Sequence, residues 1–182
     1  MQGRAAWVTS VTAIWLAMAA PALATFSICA CDAGGNCGVA IATNNLAVGS
    51  TTIFASANTG VVVTQFESNP LYGPRGLAML ARGVTASSAL RALIAGDGSF
   101  EGLGAASRQV AVVDSRGGSA TYTGEEAARA AWAGERSGQG YAVMGNGLAG
   151  EHVLRAIEQA YLSSSGPLAA RLMAALQMGE AV

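Results

Sequence analysis

The 182-residue chain carries a net charge of −1 with no run of like charge, which points away from a nucleic-acid partner or an acidic tail. Its ten basic residues are all arginine, so Schiff-base chemistry, Ser–Lys dyads and lysine-dependent phosphate loops are excluded. One histidine and three cysteines supply a zinc site poorly, and neither a metal nor a cofactor is expected.

The chain opens with one positive charge, Arg4, and no acidic residue. An apolar stretch from Ala5 to Ala20 follows, then Pro21 and the small-x-small sequence Ala22-Leu23-Ala24. That order is the layout of a secretory signal. A spanning helix needs ~20 apolar residues, and this stretch is shorter and interrupted by Thr9, Ser10 and Thr12. A lipoprotein site is not expected, because Cys29 follows Ile28 rather than a small residue. Residues 1–24 are therefore read as a cleaved signal peptide. The mature chain, periplasmic or secreted and free of the membrane after cleavage, is expected to begin at Thr25. Residues 25–182 then suit a single domain with a real core.

Thr25 to Cys31 alternates, with Phe26, Ile28 and Ala30 on one side and Ser27, Cys29 and Cys31 on the other, which predicts a strand. The turn formers Asp32-Ala33-Gly34-Gly35-Asn36 lead to a second strand at Gly38–Thr43. Leu46–Ile53 predicts a third, and the β-branched stretch Thr59–Phe66 a fourth. Two readings of the turn stay open: Cys31 and Cys37 are joined by a disulfide across the hairpin, or all three cysteines remain small packed thiols.

Helices come next. Pro74 suits a first turn and Gly83 a stop, with Leu77, Met79, Leu80 and Ala81 between them. Thr85 can cap a second helix that ends at Gly96. Strands are predicted at Gln109–Asp114 and Ser119–Tyr122, about a turn at Arg116-Gly117-Gly118, and near Tyr141–Met144. Two further helices follow, the first carrying Val153, Leu154, Ile157 and Tyr161, the second Leu168, Leu172, Ala175 and Leu176. Strands grouped apart from helices imply an α+β layered domain.

Cleavage after Ala24 would give Thr25 a free α-amine beside its own hydroxyl. A threonine hydroxyl is a weak nucleophile until a base takes its proton. A terminal amine, with a reference pKa of ~7.7–8.0, can be that base without histidine or lysine.

Five segments carry a resemblance. They are TFSICACD at 25–32, LAVGS at 46–50, TQFESNPLYGPRGL at 64–77, AWAGERSGQGYAVMGNGLAG at 131–150 and GPLAARLMAAL at 166–176. Together, and in this order, they resemble the bacterial and archaeal "domain of unknown function 1028" family. That family is similar in fold to the N-terminal-nucleophile (Ntn) hydrolases, in which two sheets pack between helix layers, an α/β/β/α sandwich. The resemblance implies an exported hydrolase of an amide bond with Thr25 as nucleophile and its own α-amine as base. Asn146 and Asn69 are implied as amide donors to a developing oxyanion. Gln65, Tyr72 and Arg75 are implied as substrate-binding residues, Arg75 through its planar fork. Asn69 serves equally well as a cap on the turn before Pro70, and Arg75 as a helix-surface residue.

Relatives commonly carry histidine at the place of Glu135, glutamine at that of Met144 and a Ser-Lys pair at that of Thr43-Asn44. They also continue into a further strand where this chain stops at Val182, so the resemblance implies a sandwich without its last strand. A missing strand would expose a sheet edge and a strip of core, which leaves three readings open: a truncated copy, a partly unstable one, or one that depends on a partner such as a second subunit of a homo-oligomer. The substrate implied is a small-molecule or peptide-like amide. The competing expectation is a non-catalytic envelope binding domain that keeps the fold. His152, at a helix start, is read as a solvated residue.

Overall fold

The computed structural model describes residues 24–129 and 131–182. Apart from Ala24, the signal-peptide expectation lies outside the described residues. Strand β1 (Thr25–Cys31) is central in its sheet. It pairs antiparallel with β2 (Cys37–Thr43) on one edge and with β8 (Tyr141–Leu148) on the other. With β7 (Trp132–Gly138) outside β8, the sheet order is β2-β1-β8-β7. A second antiparallel sheet runs β3 (Ile53–Ser56), β4 (Gly60–Phe66), β5 (Arg108–Asp114) and β6 (Ser119–Thr123).

Period-two alternation assigns each strand residue to a layer. Phe26, Ile28 and Ala30 turn outward and pack with Val143 beneath α3 (Glu151–Ser163) and α4 (Leu168–Glu180). Their neighbours Cys29 and Cys31 turn inward with Ala142 and Met144, meeting Val61, Val63, Ala111 and Val113 of the other sheet. Val62, Val110 and Val112 face the opposite way, against α1 (Tyr72–Ala81) and α2 (Ala86–Ala95). Each buried valine contributes about 1.5–3 kcal/mol through apolar area removed from water. The domain is thus α+β, with two antiparallel sheets face to face and a helix pair outside each.

Several elements differ from the sequence-based expectation. In place of a strand over Leu46–Ile53, Val48–Ser50 forms a 3-10 turn entered through a left-handed Ala47 (φ 57°), and β3 begins only at Ile53. Asn44-Asn45 and Gly49-Ser50 favour turns, and they override the weak alternation between them. Strand β7 has no counterpart among the predicted strands: its WAGERSG sequence has two glycines and a charged pair, tolerable because β7 is an edge strand. Helix α1 starts at Tyr72, which places Pro74 third in the first turn, where a backbone N–H has no helical partner to lose. Thr85 caps α2 by accepting from the Ser88 N–H at 3.3 Å.

Of the two cysteine readings, the structure takes the first. Cys31 and Cys37 face each other in the β1–β2 register and are joined by a disulfide. Cys29 is free and buried, and burial pushes its thiol up to about 12, which leaves it unreactive.

Candidate active site

Thr25 begins β1, and the alternation that turns Phe26 toward the helices turns Thr25 and Ser27 into the space between the sheets. Sheet pairing then chooses its neighbours. Thr25 lies opposite Thr43 on one side and Asn146 on the other. The Thr25 and Thr43 hydroxyls are 2.9 Å apart, and the Thr43 oxygen also accepts from the Asn45 N–H at 3.2 Å.

Beneath this row runs a chain of buried amides. Ser27 Oγ donates to Gln65 Oε1 at 2.8 Å, and Gln65 Nε2 donates to Gln109 Oε1 at 2.7 Å. Asn146 Nδ2 donates to the same Gln109 oxygen at 3.0 Å. Gln109 Nε2 lies within bonding distance of Gly145 O (2.9 Å), Thr123 Oγ1 (3.1 Å) and Gly134 O (3.2 Å). Thr123 in turn donates to Glu135, so the chain ends on a carboxylate at an edge strand. Because one oxygen of Gln109 receives both neighbouring amides, the orientation of Asn146 is fixed: one of its two N–H groups is engaged and the other is free to donate.

The backbone at Asn146 is shaped as well. Between Trp132 and Gly134 the β7–β8 register shifts, and Gly147 adopts φ +66°, a bulge that a side chain would strain. On the opposite wall Phe66 holds φ +64°, an unfavourable conformation for a bulky residue. Two departures from regular strand geometry therefore flank the Thr25 hydroxyl, on facing sheets.

The sequence-predicted residues divide. Thr25, Gln65 and Asn146 come together between the sheets. Asn69 and Tyr72 lie on the other face of β4–β5, within the α1–α2 layer. There the Asn69 N–H donates to Thr64 Oγ1, its Oδ1 accepts from the Leu71 N–H, and its Nδ2 donates to Asp97 O. Tyr72 donates to the Asp97 carboxylate, which is also paired with Arg108 at 3.0 Å. Burial and the Asp97 carboxylate raise the Tyr72 phenol above its ordinary range. Arg75 is exposed on α1, beside a groove shared with Arg82 and Gly96. His152 is exposed on α3.

Gln109, Ser27, Thr43 and Thr123 belong to the constellation and are not among the sequence-predicted site residues. A signal existed for one of them. Gln65 and Gln109 each occupy an inward position in an otherwise valine-rich strand, and they are register partners. Two amides facing a dry layer must satisfy each other. Gln109→Leu is accordingly expected to lower unfolding free energy by about 1–3 kcal/mol, the cost of stranding the buried Gln65 and Asn146 donors. The shift in the urea midpoint measures it.

A small cleft of about 20 Å³ lies beside Thr25, with Ala24 still attached to the Thr25 nitrogen. Wider grooves, of about 490 Å³ between β2 and α4 and about 410 Å³ beside Arg75, contain neither Thr25 nor a member of the amide chain. Among the described residues no group of three or more His, Cys, Asp or Glu side chains is placed to hold a metal ion.

Residues 25–182 match the family described as "Family of unknown function (DUF1028)". The fold is similar to the crystal structure of protein SPO2555 from Silicibacter pomeroyi, which is assigned to the same family, with a TM-score of 0.77 and 30% identity. The similarity covers 87% of this chain and 68% of that one. No curated protein matches the chain.

Proposed function

The chain belongs to the DUF1028 family, and from that premise we propose that it is an exported Ntn-type hydrolase of an amide bond, with Thr25 as nucleophile. The observation that carries this reading is the Thr25 hydroxyl between the sheets, beside an Asn146 amide whose orientation Gln109 fixes. Two facts add support. The family match begins at Thr25, the residue that cleavage after Ala24 would expose. The two antiparallel sheets also lie face to face with a helix pair outside each, an arrangement compatible with the Ntn-type sandwich that this reading requires.

In this reaction the freed α-amine takes the hydroxyl proton as Oγ attacks the amide carbonyl. The spare N–H of Asn146 donates to the oxyanion as it forms, a contribution worth ~2.7–4 kcal/mol where such donors have been removed. The C–N bond then breaks, the ammonium returns its proton to the leaving amine, and an acyl ester remains on Thr25. Water attacks that ester with the amine again as base, releasing the acid and restoring the hydroxyl. Asn69 and Tyr72 take no part; they hold Asp97 and the start of α1.

The test has two steps. N-terminal sequencing of the exported protein should give Thr25 as the first residue. Incubation with an activated ester should then add one acyl group to the Thr25 peptide, removable by hydroxylamine as an ester is. A different first residue removes the nucleophile. An unlabelled protein with the right first residue favours the second reading, an envelope binding domain, to which the narrow space beside Thr25 also lends weight.

A further inference from the structure

The walls of the Thr25 cleft limit what can be bonded to the carbonyl under attack. Resting on the hydrolase reading, we infer that the acyl part of the substrate is small and uncharged, of formyl or acetyl size. The cleft of about 20 Å³ has room for one water-sized group, and a methyl group is comparable. Its apolar lining comes from Ile41, Val48 and Phe66, its polar lining from hydroxyls and amides such as Thr43, Thr52 and Gln65.

Two of these walls are tied down. Thr52 is buried, donates its N–H to Val48 O at 3.0 Å and receives the Thr64 N–H at 2.9 Å. Gln65 is held at both ends of its amide. A propyl chain would have to displace backbone-anchored groups rather than a loose side chain. With the acyl group at the closed end formed by buried Thr52 and Gln65, the leaving amine faces the open end at exposed Asn45, beside Leu46, which is 93% exposed, and meets no such limit.

Charge is limited by the same lining, which contains no ionisable side chain. An acyl group with its own carboxylate would find no cationic side chain there, and an ion pair with the Thr25 ammonium would hold the proton that the amine must lose to act as base. Arg108, next in sequence to Gln109, is committed to Asp97 on the other face of the sheet, and Arg75 stands on the outside of α1.

The experiment measures acylation of Thr25 in the mature protein by p-nitrophenyl acetate, butyrate, hexanoate and succinate monoester, followed by intact mass. In each, Oγ forms the ester, p-nitrophenolate leaves, and the α-amine takes the proton. Acetate is expected to react at least about tenfold faster than butyrate or succinate, after normalising to hydrolysis in buffer, the scale set by a misfitting methylene. Val48→Ala, which widens the cleft, is expected to shift the acetate-to-butyrate ratio toward butyrate. Equal or faster reaction of hexanoate or succinate overturns the inference while leaving the hydrolase reading intact, and so does an unchanged ratio in Val48→Ala. Thr25 untouched by every ester overturns both.

Discussion

Thr25→Ala is expected to abolish Thr25-dependent acylation and amide hydrolysis, a fall of at least about 10³-fold, comparable to removal of a nucleophile elsewhere. The fold should survive it. Thr25 contributes one hydroxyl contact, to Thr43, and strand β1 is held by backbone pairing on both edges and by Phe26, Ile28 and Cys29. A loss of activity with an unchanged melting temperature separates chemistry from packing. Thr25→Ser keeps the hydroxyl beside the amine and is expected to retain activity within about tenfold. In the wild type the rate should rise with pH through ~7.7–8.0 as the α-amine loses its proton. Equal hydrolysis by wild type and Thr25→Ala would assign the site to binding rather than catalysis.

Asp97→Asn is expected to have the largest effect on stability. The Asp97 carboxylate is buried and accepts from Arg108 Nε at 3.0 Å, from the Ser99 N–H at 3.1 Å and from the Tyr72 hydroxyl. Arg108 is 1% exposed. Removing one charge of a buried pair leaves the other uncompensated, which typically costs 3–5 kcal/mol. The pH dependence has a definite sign. Burial alone would raise the Asp97 pKa, but hydrogen bonds from Arg108 and Tyr72 outweigh it and hold the carboxyl below the ordinary range. A carboxylate depressed in the folded state stabilises above its unfolded pKa of ~3.9, and that stability is lost as pH falls through the folded value. The difference in urea midpoint between wild type and Asp97→Asn should therefore be full near pH 7 and shrink below about pH 4. A constant difference across that range would show that the carboxylate charge is not what holds this cluster.

Asp97 carries no distinctive sequence signal, because it follows Gly96 in a Gly/Ser-rich connection, where an aspartate usually only makes a turn. Its significance depends on Arg108 and Tyr72, 11 and 25 residues away, which meet it only after α1 and α2 have packed on β4 and β5. The amide chain is similar. Gln65 and Gln109 could be read as polar interruptions of apolar strands, yet Ser27 and Gln65 are 38 residues apart, and Asn146 and Gln109 37. No local pattern states that such pairs bond.

Taken alone, the sequence determined the elements whose signals are local: the alternation of β1, the valine-rich strands β4 and β5, the capped start of α2 and the apolar stripes of α3 and α4. It also indicated the family, because motifs in order need no folding to be read. Side-chain alternation tells which residues share a face of one strand, but not which strand lies beside it. That choice belonged to the tertiary structure. Sheet order set Thr43 and Asn146 on either side of Thr25, and it sent Asn69 and Tyr72 to the far face of the second sheet. It also made a strand of β7, whose charged and glycine-rich sequence pairs only because β8 offers an open edge. The physical reason is the same in each case: an antiparallel ladder joins residues by register, and register is decided by the burial of whole faces rather than by any one residue.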